Sequence, residues 1–139
     1  MILIIRISGC VDITGDIKEA LARLNLGRKY AAVLIKPSSD NEMLLKKLRN
    51  HVAYGDVSAE TIIKLIKKRG KPIKAGAKID AEKVVSEMEK KSLSSLGVKP
   101  FFRLHPPRKG IKSKKHFGIS KGVLGDHKTK INELLERML

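Results

Sequence analysis

The segment FFRLHPPRKGIKSKKHF, residues 101–117, carries six Lys or Arg, two His and the chain's three Phe, with no acid. Acids are missing over a longer window, Lys90 to Gly125, which holds ten Lys or Arg. So many like charges repel one another unless a counter-charge arrives from outside the chain. The chemistry open to them is neutralisation of a polyanion, each cation releasing condensed counter-ions from a phosphate. Lys99, Arg103, Arg108, Lys109, Lys112, Lys114, Lys115 and Lys121 are the candidate contacts, with His105 and His116 among them. Pro106-Pro107 keeps the backbone extended and lowers the entropy lost on docking. Phe101, Phe102 and Leu104 are expected to anchor the base of the loop in the core. Phe117 closes its far side or stacks on an unpaired base.

The whole chain is equally one-sided, with 30 Lys plus Arg against 14 Asp plus Glu and a net charge of +16 over 139 residues. Nucleic acid is the default partner for such a field. Aromatic content of 4% and the absence of Trp argue against a platform of many stacked bases. A hydrophobic share of 42% fits a folded protein of one domain, or a small core with an appendage. No window approaches the ~20 apolar residues of a membrane span. MILIIRISGC is broken by Arg6 and lacks a basic leader, so it reads as a strand.

Catalytic patterns are missing. There is no G-x-G-x-x-G, Walker loop, C-x-x-C or H-E-x-x-H. The four His (51, 105, 116, 127) lack metal-ligand spacing, and Cys10 stands alone. A lone Cys near a strand end is expected to be a small buried hydrophobe in a reducing cytosol. Glu87 and Glu89 lie beside Lys83, Lys90 and Lys91, which reads as charge pairing on a solvated helix face. The expectation is therefore no enzyme, no cofactor, no metal and no small-molecule substrate.

The elements that must position the basic loop follow from apolar spacing. ILIIRI, YAAVLIK (30–36) and HVAYGDV (51–57) are predicted strands. Ile17, Leu21 and Leu24 mark a helix starting at Asp16 and stopping at Gly27. Ser39 through Glu42 forms a capping box for a second helix, and another, from Asp56 to Ala59 or from Ser58 onward, opens a third that ends at Gly70. The order β-α-β-α-β-α predicts an α+β fold with a ferredoxin-like split β-α-β core, its sheet covered on one face. Residues 1–70 are the expected core. Residues 71–139 are the expected basic extension: a loop over 71–79, a short helix capped by Asp80, the basic loop, and a terminal helix capped near Asp126.

These residues resemble one family, the large-ribosomal-subunit proteins called L thirty, or L seven in eukaryotes. The likeness lies at Phe102, Leu104, Pro107, Arg108, Gly110, Lys114, Lys115, His116, Phe117, Gly125, Ile131 and Asn132. YAAVLIKP and MLLKKLRNHVAYGDVSAETIIKLIKKRG extend it over nearly the whole chain. An extended back half with a bare N-terminus resembles the archaeal type. Lys109 and Ser113 stand where the family more commonly has Gly and Lys. The resemblance implies a ferredoxin-like protein without catalytic activity, packed on large-subunit ribosomal RNA in the cytoplasm beside neighbouring ribosomal proteins. Two other classes remain in view. A chromatin-type DNA-binding protein would share the electrostatics, and a small enzyme or metabolite binder would share the fold.

Overall fold

The computed structural model describes residues 1–74, 76, 79–88 and 90–139. Part of the loop expected over 71–79, and the pairing expected of Glu89, lie outside the described residues. The first half follows the predicted order: β1 (Ile2–Arg6), α1 (Gly15–Arg23), β2 (Ala31–Ile35), α2 (Ser39–Leu48), β3 (Val52–Asp56) and α3 (Ala59–Arg69). Beyond it come α4 (Ala81–Glu87), β4 (Phe102–Arg103), β5 (Ser113–His116) and β6 (Gly122–Asp126). A 3₁₀ turn (Lys128–Lys130) then leads into α5 (Ile131–Met138). The result is an α+β fold of ferredoxin-like type, as the sequence predicts.

Six strands form a mixed sheet in the order β4-β2-β1-β3-β6-β5. β1 lies between β2 and β3, antiparallel to both, and β4 adds antiparallel to β2. β6 runs parallel to β3, with Ala53 opposite Gly125 and Tyr54 opposite Asp126. The boundary expected at residue 70 falls just after α3, and strands from both sides of it share this sheet.

The sheet is covered on both faces, a correction to the single covered face expected. Leu3, Ile5 and Ile7 pack with Ile62, Leu65 and Ile66 of α3, Val84 of α4, and Ile131, Leu134, Leu135 and Met138 of α5. Ile2 and Ile4 pack on the other side with Leu21 of α1 and with Leu45 and Leu48 of α2. The reason lies in β1 itself: its apolar residues run continuously instead of alternating, which demands cover on both sides.

Local starts also differ by a residue or a role. The cap of α2 is Ser38, not Ser39, and its Oγ accepts from the Asn41 N–H at 3.3 Å. Of the two starts expected for α3, Asp56 and Ser58, the cap is Ser58, accepting from Thr61 N–H at 3.4 Å. Asp126 caps no α-helix. It ends β6, and its Oδ1 accepts from the Lys128 N–H at 2.8 Å, turning the chain into the 3₁₀ segment. Asn132 then ties α5 to the β3–α3 corner, its Oδ1 accepting from Ser58 N–H and its Nδ2 donating to Asp56 O.

Cys10 departs from the buried position expected of it, and its partner Arg6 is the buried one. Cys10 is exposed, and its Sγ accepts from Arg6 Nη2 at 3.5 Å. Arg6, at 2% exposure, sits within the apolar sheet. Backbone carbonyls satisfy it: Nη1 donates to Leu26 O (2.7 Å), Nη2 to Gly9 O (2.7 Å) and Nε to Ser8 O (3.1 Å). A buried guanidinium is tolerated when its donors are matched this fully.

Candidate nucleic-acid interface

The basic loop leaves β4 at Arg103 and is fastened first by its apolar anchors. Phe102 is completely buried and Leu104 nearly so, both in the layer beneath α3 and α5. Phe101 lies half-buried against the opposite layer, its ring 5.3 Å from the Arg103 guanidinium.

Hydrogen bonds to the end of α5 hold the next turn. A helix leaves its last carbonyls without partners inside the helix. Here the loop supplies donors: His105 N–H donates to Met138 O (3.0 Å) and Arg108 N–H to Arg137 O (2.9 Å). Arg137 replies through its side chain, donating from Nη2 to Arg108 O (2.9 Å) and Gly110 O (2.8 Å). Pro107 is buried, and its carbonyl accepts from Gly110 N–H at 2.9 Å, closing a four-residue turn. Lys109 occupies the third position of that turn with φ 66°, where a side chain is strained and Gly is favoured. Arg108 and Lys109 are left exposed at the tip.

Beyond the turn, Lys112 is exposed and β5 presents Lys114 and Lys115 to solvent, with His116 half-buried. β5 lies so close to the start of β6 that a side chain at Gly122 would collide with the Lys115 and His116 carbonyls. Lys121 is exposed in the connecting turn. Phe117 is 38% exposed, and its ring centroid lies 4.3 Å from that of buried His127. His127 Nε2 donates to Val123 O at 2.8 Å. Burial lowers the His127 pKa, against opposing pulls from the Val123 carbonyl and Asp126, so the ring favours its neutral form.

The ten predicted residues do not form one patch. Arg108, Lys109, Lys112, Lys114, Lys115, His116 and Lys121 gather around the end of α5 and the β5 edge. Arg103 lies on β4 at the other edge of the sheet, and Lys99 precedes it, with its N–H bonded to Lys71 O. Five inter-strand steps separate the edges, about 24 Å. His105 lies on the stretch between. The ion pairs among the described residues are Arg23–Glu19, Lys64–Glu136, Lys67–Glu82, Lys83–Asp80 and Lys91–Glu87. None draws on the ten.

Sequence reasoning missed three contributors. Arg137 orders the turn, and Lys130 approaches Phe117, its Nζ 5.8 Å from the ring centroid. Asn132 enters the family likeness, but its bridging role is invisible in the sequence. The one available signal was HKTK after the loop, two further cations in a segment read as helix.

No family model matches the chain. Curated relatives do, under the name large ribosomal subunit protein uL30. The relative from Archaeoglobus fulgidus is 37% identical, with 99% of each chain covered. That from Methanococcus vannielii is 34% identical over 98% of this chain and 97% of its own. That from Methanosphaera stadtmanae is 34% identical over the full length of both. With identity at this level along its whole length, the chain belongs to the uL30 family of large ribosomal subunit proteins.

Proposed function

We propose that the chain is a structural, non-catalytic constituent of the large ribosomal subunit that binds ribosomal RNA through its clamped basic loop and β5 edge. The observation that carries this is the cluster Arg108, Lys109, Lys112, Lys114, Lys115 and Lys121: exposed, outside every ion pair described, its first two members on a turn pinned to α5 and the others on or beside β5. Cations on an ordered backbone lose less entropy on meeting phosphates than cations on a loose tail. Arg103 and Lys99 extend the footprint toward the opposite edge. The place of action is the cytoplasmic ribosome, with neighbouring ribosomal proteins as further partners.

The test replaces Arg108, Lys109, Lys112, Lys114 and Lys115 with Gln and titrates large-subunit rRNA fragments over a salt series. Affinity of the unaltered chain should fall about 10³- to 10⁵-fold from 50 to 200 mM salt if ~6–10 phosphates are neutralised. The variant's logarithmic slope should be shallower by about 0.7–0.9 for each phosphate it no longer neutralises, with its melting temperature kept. An affinity flat with salt overturns the proposal. Equal affinity for random duplex DNA at matched salt points to the chromatin-type class instead.

A further inference from the structure

Between the basic turn, the β5–β6 turn and α5 lies a cavity of about 300 Å³. We infer that this cavity is a site for a single unpaired nucleotide, its base against Phe117 and its phosphate held by Lys121 and Lys130. The inference rests on the RNA reading above and deepens it, from a charged surface to a site that takes a base.

Phe117, Lys112, Lys121, Lys130, His127 and Arg137 all line the cavity, and among the described residues no acid is in its walls. Phe117 is the feature that bulk electrostatics does not explain. One large aromatic stays 38% exposed among lysines, although Phe102 shows that the same loop can bury a ring completely. The Phe117 ring is also braced. His127 packs 4.3 Å away and is itself fixed by its bond to Val123 O, so the aromatic surface is ordered before any ligand arrives. A base of any identity stacks on such a ring, since every base has a π-face. Lys130 Nζ lies 5.8 Å from the ring centroid, placing an ammonium within reach of a nucleotide stacked there. Lys121, on the turn between Phe117 and β6, supplies a second. Arg137 is spent on the Arg108 and Gly110 carbonyls and shapes the wall. The volume stands at the small end of ligand sites, suiting one planar base better than a longer segment.

The experiment compares two probes at matched salt on the full chain: hexaadenylate, and a ribose-phosphate hexamer of equal charge without bases. Stacking predicts that hexaadenylate binds roughly 5- to 150-fold tighter. Phe117→Leu should bring the two probes to equal affinity. Lys121→Gln with Lys130→Gln should weaken both probes together and flatten their salt dependence by about 0.7 for each phosphate left without its cation. Equal affinity in the unaltered chain overturns the nucleotide site while leaving charge-driven RNA binding standing. A preference that survives Phe117→Leu also overturns it. Failure of both probes and of rRNA fragments overturns the RNA reading itself. A melting curve for each variant confirms that it is folded.

Discussion

Replacing Phe102 with Ala tests which of the loop's aromatics hold the fold. The side chain is completely buried in the layer formed by α3, α4 and α5 under the sheet. Truncating a buried Phe costs about 3–5 kcal/mol, from reduced transfer free energy plus the cavity left behind. Unfolding entropy near the midpoint is about 2.1 cal/mol/K per residue, so about 0.29 kcal/mol/K for this chain. The melting temperature should then fall by roughly 10–17 °C. Phe117→Ala provides the contrast. That ring is partly in water and meets chiefly His127, so its removal should cost about 1 kcal/mol and roughly 3 °C. Thermal melting by far-ultraviolet circular dichroism reads both variants under one buffer. A drop below about 5 °C for Phe102→Ala, or an equal drop for Phe117→Ala, would refute the division into anchor and exposed ring.

Four further outcomes are expected. Gly55→Ala places a Cβ against the Lys128 carbonyl, so overpacking should cost about 1–3 kcal/mol in urea titration; a neutral result would show that the 3₁₀ turn yields freely. Asn132→Ala removes bonds to Ser58, Asp56 and Thr129 and should cost about 1–3 kcal/mol by the same measurement. Lys109→Gly relieves the left-handed strain, so the melting point should hold or rise while the salt slope of rRNA binding becomes shallower by about 0.7–0.9. Burial lowers the pKa of His127, and burial then Arg6 lowers that of His51, so the native chain refuses protons that the unfolded chain accepts. Their contribution is complete above the ordinary value of 6.5 and is lost as pH falls below it toward the folded values, so the urea midpoint should be lower at pH 5.5 than at pH 7.5. His127→Gln should flatten that dependence.

Legibility in the sequence followed the length and apolar content of each element. ILIIR, AAVLI and the helices with Leu45, Leu48, Leu65 and Ile66 carry enough periodic apolar surface to identify themselves. β4 has two residues, β5 is SKKH and β6 is a short apolar pair between glycines. Such segments become strands only because β2 and β3 offer them partners, which is tertiary information. The site divided in the same way. Its cations were visible as an acid-free run, and Phe102 and Leu104 as anchors. The distance between Arg103 and the β5 lysines comes from strand order, which the sequence does not display. Arg137 escaped notice because its targets are backbone carbonyls, and these leave no trace in residue types.

The bridge from Ser58 to Asn132 spans 74 positions, and it has a consequence in time. During synthesis at about 5–20 residues per second, β3 and the start of α3 emerge some 4 to 15 s before the segment that locks onto them. Over that interval β3 has an unpaired edge where β6 will later lie, a surface open to wrong partners. Arg137, which sets the basic turn, is made later still than Asn132. The nascent chain therefore carries its cations before it has the means to order them. Non-local closure of this kind slows folding, and a delay in translation after Asp56 would lengthen the exposure without altering the native structure at all.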